Sequence, residues 1–296
     1  MADRQDPSST GQPGWSLQRL PAMDEAQFSQ WQALLEHRTG MTLTHERKSF
    51  LEANLSIRMR EIGCGSYQTY YEKVVEGSEG IVEWATLVDR LTVQETRFFR
   101  DPEAFRLVSD YILTRPREHF RKRPLEVWSV GCSTGEEPYT LAMVLNECMT
   151  QLDLPALFGV TGSDISKPAL LKAQRGLFSA RKLMGMDEAL KEKYFRPGER
   201  NTVEIVPEIR DRVCFARLNV LDLKRAPMHG MNIIFCQNLL IYFRRWRRRE
   251  IVRRLAERLA PGGMLVLGQG ELTDWQPPGL QRVPSENALA WIKTPV

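Results

Sequence analysis

The alternation of short apolar runs with helical stretches over residues 125–293 constrains the fold more than any other feature of the sequence. LEVWSV, FGVTGSD, MNIIFC and MLVLG are typical of strands, and helix-like segments such as EEPYTLAMVLNECMTQL lie between them. Parallel strands need such crossovers, so the pattern predicts an α/β fold with a doubly wound, mostly parallel sheet covered by helices on both faces. ALAWIKTPV is expected to add a last, antiparallel strand.

Helical spacing dominates the chain before this region. Several segments, from FSQWQALLEHRTG to EGIVEWATLVDRLT, carry apolar residues three and four positions apart. They predict a small all-helical N-terminal domain over residues 23–112, followed by the α/β domain over residues 113–296. Residues 1–22 are polar and rich in Pro, Ser and Gly, so we expect a disordered tail there.

One segment of the α/β domain departs from the alternation. Residues 183–217 hold two short strand-like runs, TVEIV and RVCFA, and the turn RPGERN. These features predict a small antiparallel β insertion.

Composition narrows the class of protein. The chain has no apolar run of about 18 residues, so no membrane-spanning helix is predicted. Its five cysteines form no CxxC pair, which favours a reduced, cytoplasmic setting in which they act as small buried apolar residues. Four histidines without ligand spacing predict no metal site. The net charge of +4 is compatible with an acidic partner without requiring one.

Three polar sites follow predicted strands, where an α/β sheet binds its ligands. Gly131 and Gly135 of VWSVGCSTGEEP would let the backbone approach a ligand closely, although an ordinary strand-to-helix turn has the same residues. The carboxylate of Asp164 would accept hydrogen bonds from ribose hydroxyls, or cap the following helix. Gln237 and Asn238 of FCQNLLIYF would face the same crevice, or form a polar turn.

Two further segments are unusual in composition. LTVQETRFFRDPEAF combines polar residues with two Phe and two Arg, but by itself it is equally a linker. RRWRRREIVRRLAERL is the most basic run and invites a nucleic-acid interpretation. Its apolar residues repeat at helical spacing, which favours a helix with one buried face and one solvated basic face.

Taken in order, these segments resemble the chemotaxis receptor methyltransferase family (CheR). The resemblance covers residues 25–292 and rests on TRFFRDPEAF, VWSVGCSTGEEPYTLAM, SDIS, FARLNVLD, IIFCQNLLIYF and LAPGGMLVLGQGE. STGEEPYT and FCxNxxIYF are its most specific marks. The resemblance implies a Rossmann-like methyltransferase domain beside the helical domain. It also implies S-adenosyl-L-methionine as the cofactor and S-adenosyl-L-homocysteine as the product.

The resemblance implies roles for individual residues. Arg100 and Tyr242 would lie close to the transferred methyl group and align the reactants. Asp164 would bind the ribose hydroxyls, and Asn219 and Val220 would flank the adenine. The full set of implied cofactor contacts is Gln94, Thr96, Arg100, Gly131, Glu137, Asp164, Asn219, Val220, Gln237 and Asn238.

Two positions differ from the usual family pattern. Gln94 stands where the family usually has Asn, and Gln237 stands where it usually has Arg, which removes a fixed charge from the crevice. In some members the β insertion docks a peptide at the receptor's C-terminus. The short turn RPGERN predicts that this chain does not dock such a peptide.

The implied activity is the formation of glutamate methyl esters on a methyl-accepting chemoreceptor, in its acidic helical cytoplasmic region. A glutamate side chain has a reference pKa of about 4.3, so at neutral pH it is already a nucleophile and needs no general base. Arg47, Lys48, Arg58 and Arg60 lie on the second predicted helix. They are candidates for docking the acidic substrate, or they form a solvated helix face.

Two other functions fit parts of the sequence. A nucleic-acid methyltransferase would fit the positive charge, but enzymes that methylate base amino groups usually carry a [DN]PP[YF] loop where this chain has QNLL. A non-catalytic adaptor that binds the cofactor weakly would fit the Gln237 departure. We expect neither a nucleic-acid partner nor membrane insertion.

Overall fold

The computed structural model describes residues 22–92, 95–118 and 123–294. Within them, the N-terminal unit contains helices α1 (Glu25–Thr39), α2 (Lys48–Glu61), α3 (Tyr67–Val75) and α4 (Gly77–Leu91). A capping box of Asp24 and Gln27 begins α1, and Gly40 ends it in the left-handed conformation, with φ 76°. The helices enclose their own apolar core, which includes Trp31, Leu51 and Tyr70. The predicted helical domain is therefore confirmed.

The second unit is built on strands β1 (Leu125–Val130), β2 (Phe158–Asp164), β3 (Leu177–Ser179), β4 (Phe195–Pro197), β5 (Thr202–Ile205), β6 (Val213–Arg217), β7 (Met231–Cys236), β8 (Leu259–Leu267), β9 (Leu280–Arg282) and β10 (Leu289–Lys293). Its helices are α5 (Pro102–Leu113), α6 (Glu136–Gln151), α7 (Lys167–Arg175), α8 (Glu188–Tyr194), α9 (Pro207–Arg210) and α10 (Arg245–Arg258). The main sheet has the order β6-β2-β1-β7-β8-β10-β9. β10 is antiparallel to both neighbours, and the five strands from β6 to β8 are parallel.

Both faces of the central strands are buried. Val127 and Phe235 belong to an apolar core that includes residues of α5 and α6. Their chain neighbours Trp128 and Ile234 point the opposite way, into a core that includes residues of α10. Because successive side chains of a strand alternate between faces, a continuous apolar run requires a cover on each side. The predicted doubly wound fold is confirmed.

The boundary between the two units lies earlier than the sequence predicts. The expected helical domain over residues 23–112 includes α5, but α5 packs on the sheet. The ring of Phe105 stacks on that of Phe235 in β7, with centroids 5.0 Å apart. Helical spacing alone does not reveal which core a helix joins, and the apolar face of α5 has its partners on β7 and α6. The helical domain therefore ends with α4 at Leu91.

The β insertion is present, but its limits differ from the predicted 183–217. β3, β5 and β4 form a separate antiparallel sheet in that order, which begins at Leu177. The run RVCFA instead forms β6, at the edge of the main sheet, with Val213 opposite Val160 of β2. An apolar run of five residues fits either sheet equally well, and only its parallel pairing with β2 distinguishes them.

Two expectations from composition concern the cysteines and the membrane. Cys132, Cys148 and Cys236 are buried free thiols, but Cys214 is exposed. The expectation that all five are buried is wrong at Cys214, because β6 is an edge strand with one neighbour, and at Cys64, which is half-buried. Among the helices of the described segments, none is long and apolar enough to cross a bilayer.

Candidate active site

The carboxyl ends of β1, β2 and β7 meet at one edge of the sheet. β1 lies between β2 and β7, so the crossovers on its two sides diverge and leave a crevice there. Gly131 follows β1, Asp164 ends β2, and Gln237 follows β7. The structure thus brings together the three polar sites that the sequence placed after strands.

Two adjoining cavities, of about 970 and 700 Å³, occupy this crevice. Gly131, Ser133, Asn238 and Tyr242 line both, so the cavities form one continuous cleft. The first cavity is closed on one side by the helical domain. That wall comes from the end of α1, the following loop and the end of α4: Leu35, Thr39, Met41, Thr42, Leu43, Arg47, Leu91 and Thr92.

The candidate cofactor residues divide between the two cavities. Asp164, Asn219 and Val220 line the first cavity. Thr96, Arg100, Glu137 and Gln237 line the second. Gln94 lies outside the described residues. Residues implied to contact the nucleoside thus line one cavity, and residues implied to contact the amino-acid part of the cofactor line the other.

The two glycines of the turn after β1 are required by packing. Both have positive φ, 78° at Gly131 and 97° at Gly135. A Cβ at Gly131 would lie 3.0 Å from the side chain of Leu239, and one at Gly135 would lie 2.7 Å from Ala173 in α7. At Gly135 a neighbouring helix, and not a ligand, occupies the space that a Cβ would need.

Asp164 organises the loop after β1. Its Oδ2 accepts a hydrogen bond of 2.9 Å from the Ser133 N–H, and its Oδ1 accepts one of 2.8 Å from the Ser166 N–H. Ser166, not Asp164, caps α7 by accepting from the Ala169 N–H. Burial raises the pKa of Asp164, while the backbone N–H donors oppose the shift. Each carboxylate oxygen has a second lone pair, so it can still accept from a ligand hydroxyl.

Two hydroxyls of the first cavity have no protein partner among the described residues. The Oγ of Ser133 and the Oγ1 of Thr42 are both buried without a hydrogen bond. Ser133 also has φ 50°, an uncommon conformation for a residue with a Cβ. Buried hydroxyls nearly always have partners, so this cavity fits a ligand that carries polar groups. An adenosine with its ribose hydroxyls meets that requirement.

The side chain of Asn219 connects the two domains. Its Nδ2 donates a hydrogen bond of 2.9 Å to the carbonyl of Arg38 at the end of α1. Its Oδ1 accepts from the Leu221 N–H at 3.0 Å. The amide is therefore engaged within the protein, and the adenine contact implied for Asn219 and Val220 stays a prediction.

Glu137 lies at the floor of the second cavity. Its Oε1 accepts a hydrogen bond of 2.7 Å from the Ser129 Oγ. Desolvation raises the pKa of Glu137 to about 8, against the opposing effects of that bond and of the Arg100 charge. A carboxyl group held in this way strongly favours a cationic ligand group beside it.

The candidates for alignment lie at the mouth of the cleft. Arg100 is exposed, and its Nη1 donates a hydrogen bond of 2.7 Å to the Glu95 carbonyl. Tyr242 is half-buried between the cavities, and the guanidinium of Arg47 lies 5.9 Å from its ring centroid. Asn238 has φ 57°, which turns the chain sharply between β7 and Tyr242. Gln237, before it, is almost completely buried.

The four basic docking candidates, Arg47 just before α2 and three residues within it, have different surroundings. Arg58 forms two hydrogen bonds of 2.7 Å with the carboxylate of Glu83, which is buried in the helical domain. Lys48 is paired with Glu25. Arg47 lines the first cavity and Arg60 is exposed. Two of the four charges are therefore neutralised within the domain.

Glu271 is a buried residue that the sequence did not single out. Its Oε2 accepts a hydrogen bond of 2.7 Å from the Gly268 N–H, and its Oε1 accepts from the N–H groups of Leu240 and Ile241 at 2.7 and 3.4 Å. It thereby fixes the loop that carries Asn238 and Tyr242. An acid directly after a strand, in LGQGE, was the available signal.

A parallel sheet with this crossover, a glycine turn and an acid after the second strand defines a nucleotide-binding α/β enzyme domain. The chain matches the family model "CheR methyltransferase, SAM binding domain" over residues 94–288. It matches "CheR methyltransferase, all-alpha domain" over residues 26–92, which ends where α4 ends. The protein therefore belongs to the CheR methyltransferase family and is a methyltransferase that uses S-adenosylmethionine.

Individual relatives agree with this assignment. The chain is 30% identical over 253 residues to the chemotaxis protein methyltransferase of Escherichia coli, covering 84% of this chain and 85% of that one. It is 31% identical over 268 residues to chemotaxis protein methyltransferase 2 of Pseudomonas aeruginosa, covering 90% and 92%. A magnesium protoporphyrin IX methyltransferase from Synechocystis solved with bound SAM has 13% identity and a TM-score of 0.38. The match covers 76% of this chain and 89% of the Synechocystis chain.

Proposed function

We propose that the protein transfers the methyl group of S-adenosylmethionine to glutamate side chains in the acidic, helical cytoplasmic region of a chemoreceptor. The products are a glutamate methyl ester and S-adenosylhomocysteine. The reaction takes place in the cytoplasm, where the acceptor region lies. The relatives are named chemotaxis protein methyltransferases, which supports the class of reaction, and the acceptor group is the one that the family resemblance implies.

One observation carries the proposal for the site: candidates from separate segments of the chain line a single cleft. Thr96 and Arg100 precede α5, Glu137 opens α6, and Asn238 and Tyr242 follow β7. The nucleoside half of the cofactor would occupy the cavity that Asp164 lines, next to the unpartnered hydroxyl of Ser133. The amino-acid half would lie beside Glu137, whose carboxylate would neutralise the ammonium group.

The reaction requires no acid or base catalysis by the protein. When bound, S-adenosylmethionine supplies a methyl group activated by a positively charged sulfonium. The acceptor carboxylate is ionised at neutral pH, so no protein group has to remove a proton from it. The O–C bond forms as the C–S bond breaks, and the two opposite charges are neutralised. Alignment and exclusion of water are then the main contributions of the enzyme.

Arg100 and Tyr242 would perform the alignment. Arg100 stands at the exposed side of the second cavity, where an incoming carboxylate would meet a cation. A tight ion pair would weaken the nucleophile, so Arg100 would orient one carboxylate oxygen and leave the other to react. The half-buried Tyr242 would close the path between the cavities to water.

Docking of the acidic substrate near α2 would depend on Arg47 and Arg60. Lys48 and Arg58 are engaged with Glu25 and Glu83, which reduces their attraction for a partner. Arg47 adjoins Tyr242 and so lies on the approach to the transferred methyl group. Long-range attraction of this kind speeds encounter and weakens as salt rises.

The deciding experiment is transfer of a radiolabelled methyl group to membranes that contain the chemoreceptor. We expect label on the receptor that mild base releases as methanol, because carboxyl methyl esters are base-labile. A receptor in which the acceptor glutamates are replaced by alanine is the matched control. Base-stable label, or label on added tRNA instead of the receptor, would contradict the proposal. Cofactor binding without any transfer would favour the non-catalytic adaptor.

A further inference from the structure

One face of α10 carries a line of exposed arginines that form no ion pair within the described residues. Arg245, Arg249 and Arg253 follow one another at intervals of four residues, so they share one side of the helix. All three are exposed, and none makes an ion pair or hydrogen bond with any residue in the described part of the chain. We call these three residues the arginine line.

The other arginines of this basic run are accounted for by the fold. Arg247 and Arg254 both pair with Glu250. Arg244 pairs with Glu36 of α1 across the domain boundary, and Arg248 donates to the carbonyls of Phe243 and Ile241. Arg258 is buried and donates to the Ala226 carbonyl. The arginine line contains the arginines of the run that remain without an ion pair or hydrogen bond to any described residue. The guanidinium of Arg249 lies 6.0 Å from the ring centroid of Trp275, and its side chain stays exposed.

The arginine line begins at the mouth of the cleft. Arg245 is three residues from Tyr242, and Ile241, which is 48% exposed, lines the second cavity. Trp246 is 56% exposed beside Arg245, an unusual position for a large aromatic side chain. With a rise of 1.5 Å per residue, the three arginines extend about 12 Å from this point. Glu257, exposed four residues beyond Arg253, marks the far end.

Helix stability does not explain these arginines. The first turn of α10 has no acidic residue, and its N-cap, Arg244, makes no side-chain capping bond. The positive end of the helix dipole is disfavoured by cations and favoured by acids. Arg245, in the first turn, therefore opposes local stability, which points to a role in binding.

We propose that the arginine line and Trp246 form a docking surface for an acidic helix of the substrate protein, continuous with the mouth of the active-site cleft. The inference rests on the proposed function, which requires an acidic helical substrate. Carboxylates four residues apart on a partner helix lie about 6 Å apart along one face, which is the spacing of the arginines. The exposed ring of Trp246, whose centroid lies 4.1 Å from the guanidinium of Arg247, supplies an aromatic contact beside the charges.

The test compares two variants with the same change in charge. Arg245→Glu/Arg249→Glu reverses two charges of the arginine line. Arg123→Glu/Arg282→Glu reverses two exposed arginines that also have no partner among the described residues. Arg123 precedes β1, at the sheet edge opposite the cleft, and Arg282 lies on the outermost strand β9. Methylation of a receptor cytoplasmic fragment is measured against fragment concentration at low and high salt.

We expect kcat/KM of the arginine-line variant to fall about tenfold at low salt, mostly because KM rises. The loss should shrink at about 0.5 M salt, where surface charges are screened. Affinity for S-adenosylmethionine, measured by calorimetry, should not change. Thermal stability should be equal to or above that of the parent, because glutamates suit the first turns of a helix.

The outcomes separate the inference from the proposed function. If the parent protein forms no base-labile ester on the receptor fragment, the proposed function fails. If the parent forms the ester and both variants match it, the arginine line is not a docking surface. A variant that methylates normally but loses binding to tRNA or to phosphatidylserine vesicles would also overturn the inference, and would assign the arginines to that partner instead.

Discussion

The side-chain amide of Gln237 donates a hydrogen bond of 2.9 Å to the Oδ2 of Asp101. The other oxygen of Asp101 accepts from the Ala104 N–H and caps α5. The bond joins the end of β7 to the start of α5, close to Arg100. The uncharged amide of Gln237 therefore supplies a donor to Asp101 without placing a positive charge in the crevice.

We expect Gln237→Leu to lower the free energy of unfolding by about 1–2 kcal/mol, because it leaves Asp101 without its buried donor. Gln237→Arg should retain stability, since an arginine supplies donors at the same place. Denaturant unfolding measures both variants. A cycle with Asp101→Ala and the double variant should give a coupling of about 1 kcal/mol. Additive effects would mean that the bond does not contribute.

Replacement of Arg100 should affect turnover far more than stability. Arg100 is exposed and its one hydrogen bond is to the nearby Glu95 carbonyl, so Arg100→Ala should change the free energy of unfolding by less than about 0.5 kcal/mol. We expect kcat for receptor methylation to fall about a hundredfold, because the acceptor loses its alignment. Arg123→Ala is the control. Normal cofactor binding together with normal methylation would exclude Arg100 from the reaction.

Glu137 should make the stability of the ligand-free protein depend on pH. Its pKa is raised from 4.5 to about 8 in the folded state, so between these values the folded protein binds a proton that the unfolded chain releases. Stability therefore falls as pH rises through this window. Glu137→Gln removes the effect. In thermal unfolding, the stability of the variant relative to that of the parent should therefore increase from pH 5 to pH 9. A difference that does not vary with pH would contradict the prediction.

Binding of the cofactor should release a proton from Glu137. Near pH 7 the carboxyl is mostly protonated, and a cationic ammonium group beside it favours the ionised form. Titration calorimetry in buffers of different ionisation enthalpy should detect the release of about one proton for each cofactor bound. Glu137→Gln should bind more weakly and release none. Proton release that persists in this variant would identify another group as its source.

Arg58 should stabilise the helical domain. Its two hydrogen bonds to the buried Glu83, which also accepts one of 2.7 Å from Tyr70, form a network that removal of the cation would break. We expect Arg58→Ala to cost on the order of 2–3 kcal/mol in denaturant unfolding. Arg47→Ala should cost less than about 0.5 kcal/mol. Charge reversal at Arg47 is therefore the informative test of docking near α2, since a variant at Arg58 would report on folding as well.

The class of fold and the edge of the sheet that carries the cleft could both be predicted from patterns in the sequence. Apolar runs with periods of two and of 3.6 are local signals, and residues that follow parallel strands necessarily meet at one edge of the sheet. For this reason the sequence alone predicts that Gly131, Asp164 and Gln237 lie together. The ordered motifs then indicated the family and the cofactor.

Features that depend on contacts between distant segments could not be predicted in this way. Helical spacing did not reveal that α5 packs on β7, nor did an apolar run reveal that Val213–Arg217 pairs with β2. The charge of Arg58 was visible in the sequence, but its engagement with Glu83, 25 residues away, was not. Burial and ion pairing depend on neighbours that folding brings together. Only the folded structure therefore distinguishes an arginine paired within the protein, such as Arg58, from an exposed one without an ion pair among the described residues, such as Arg253.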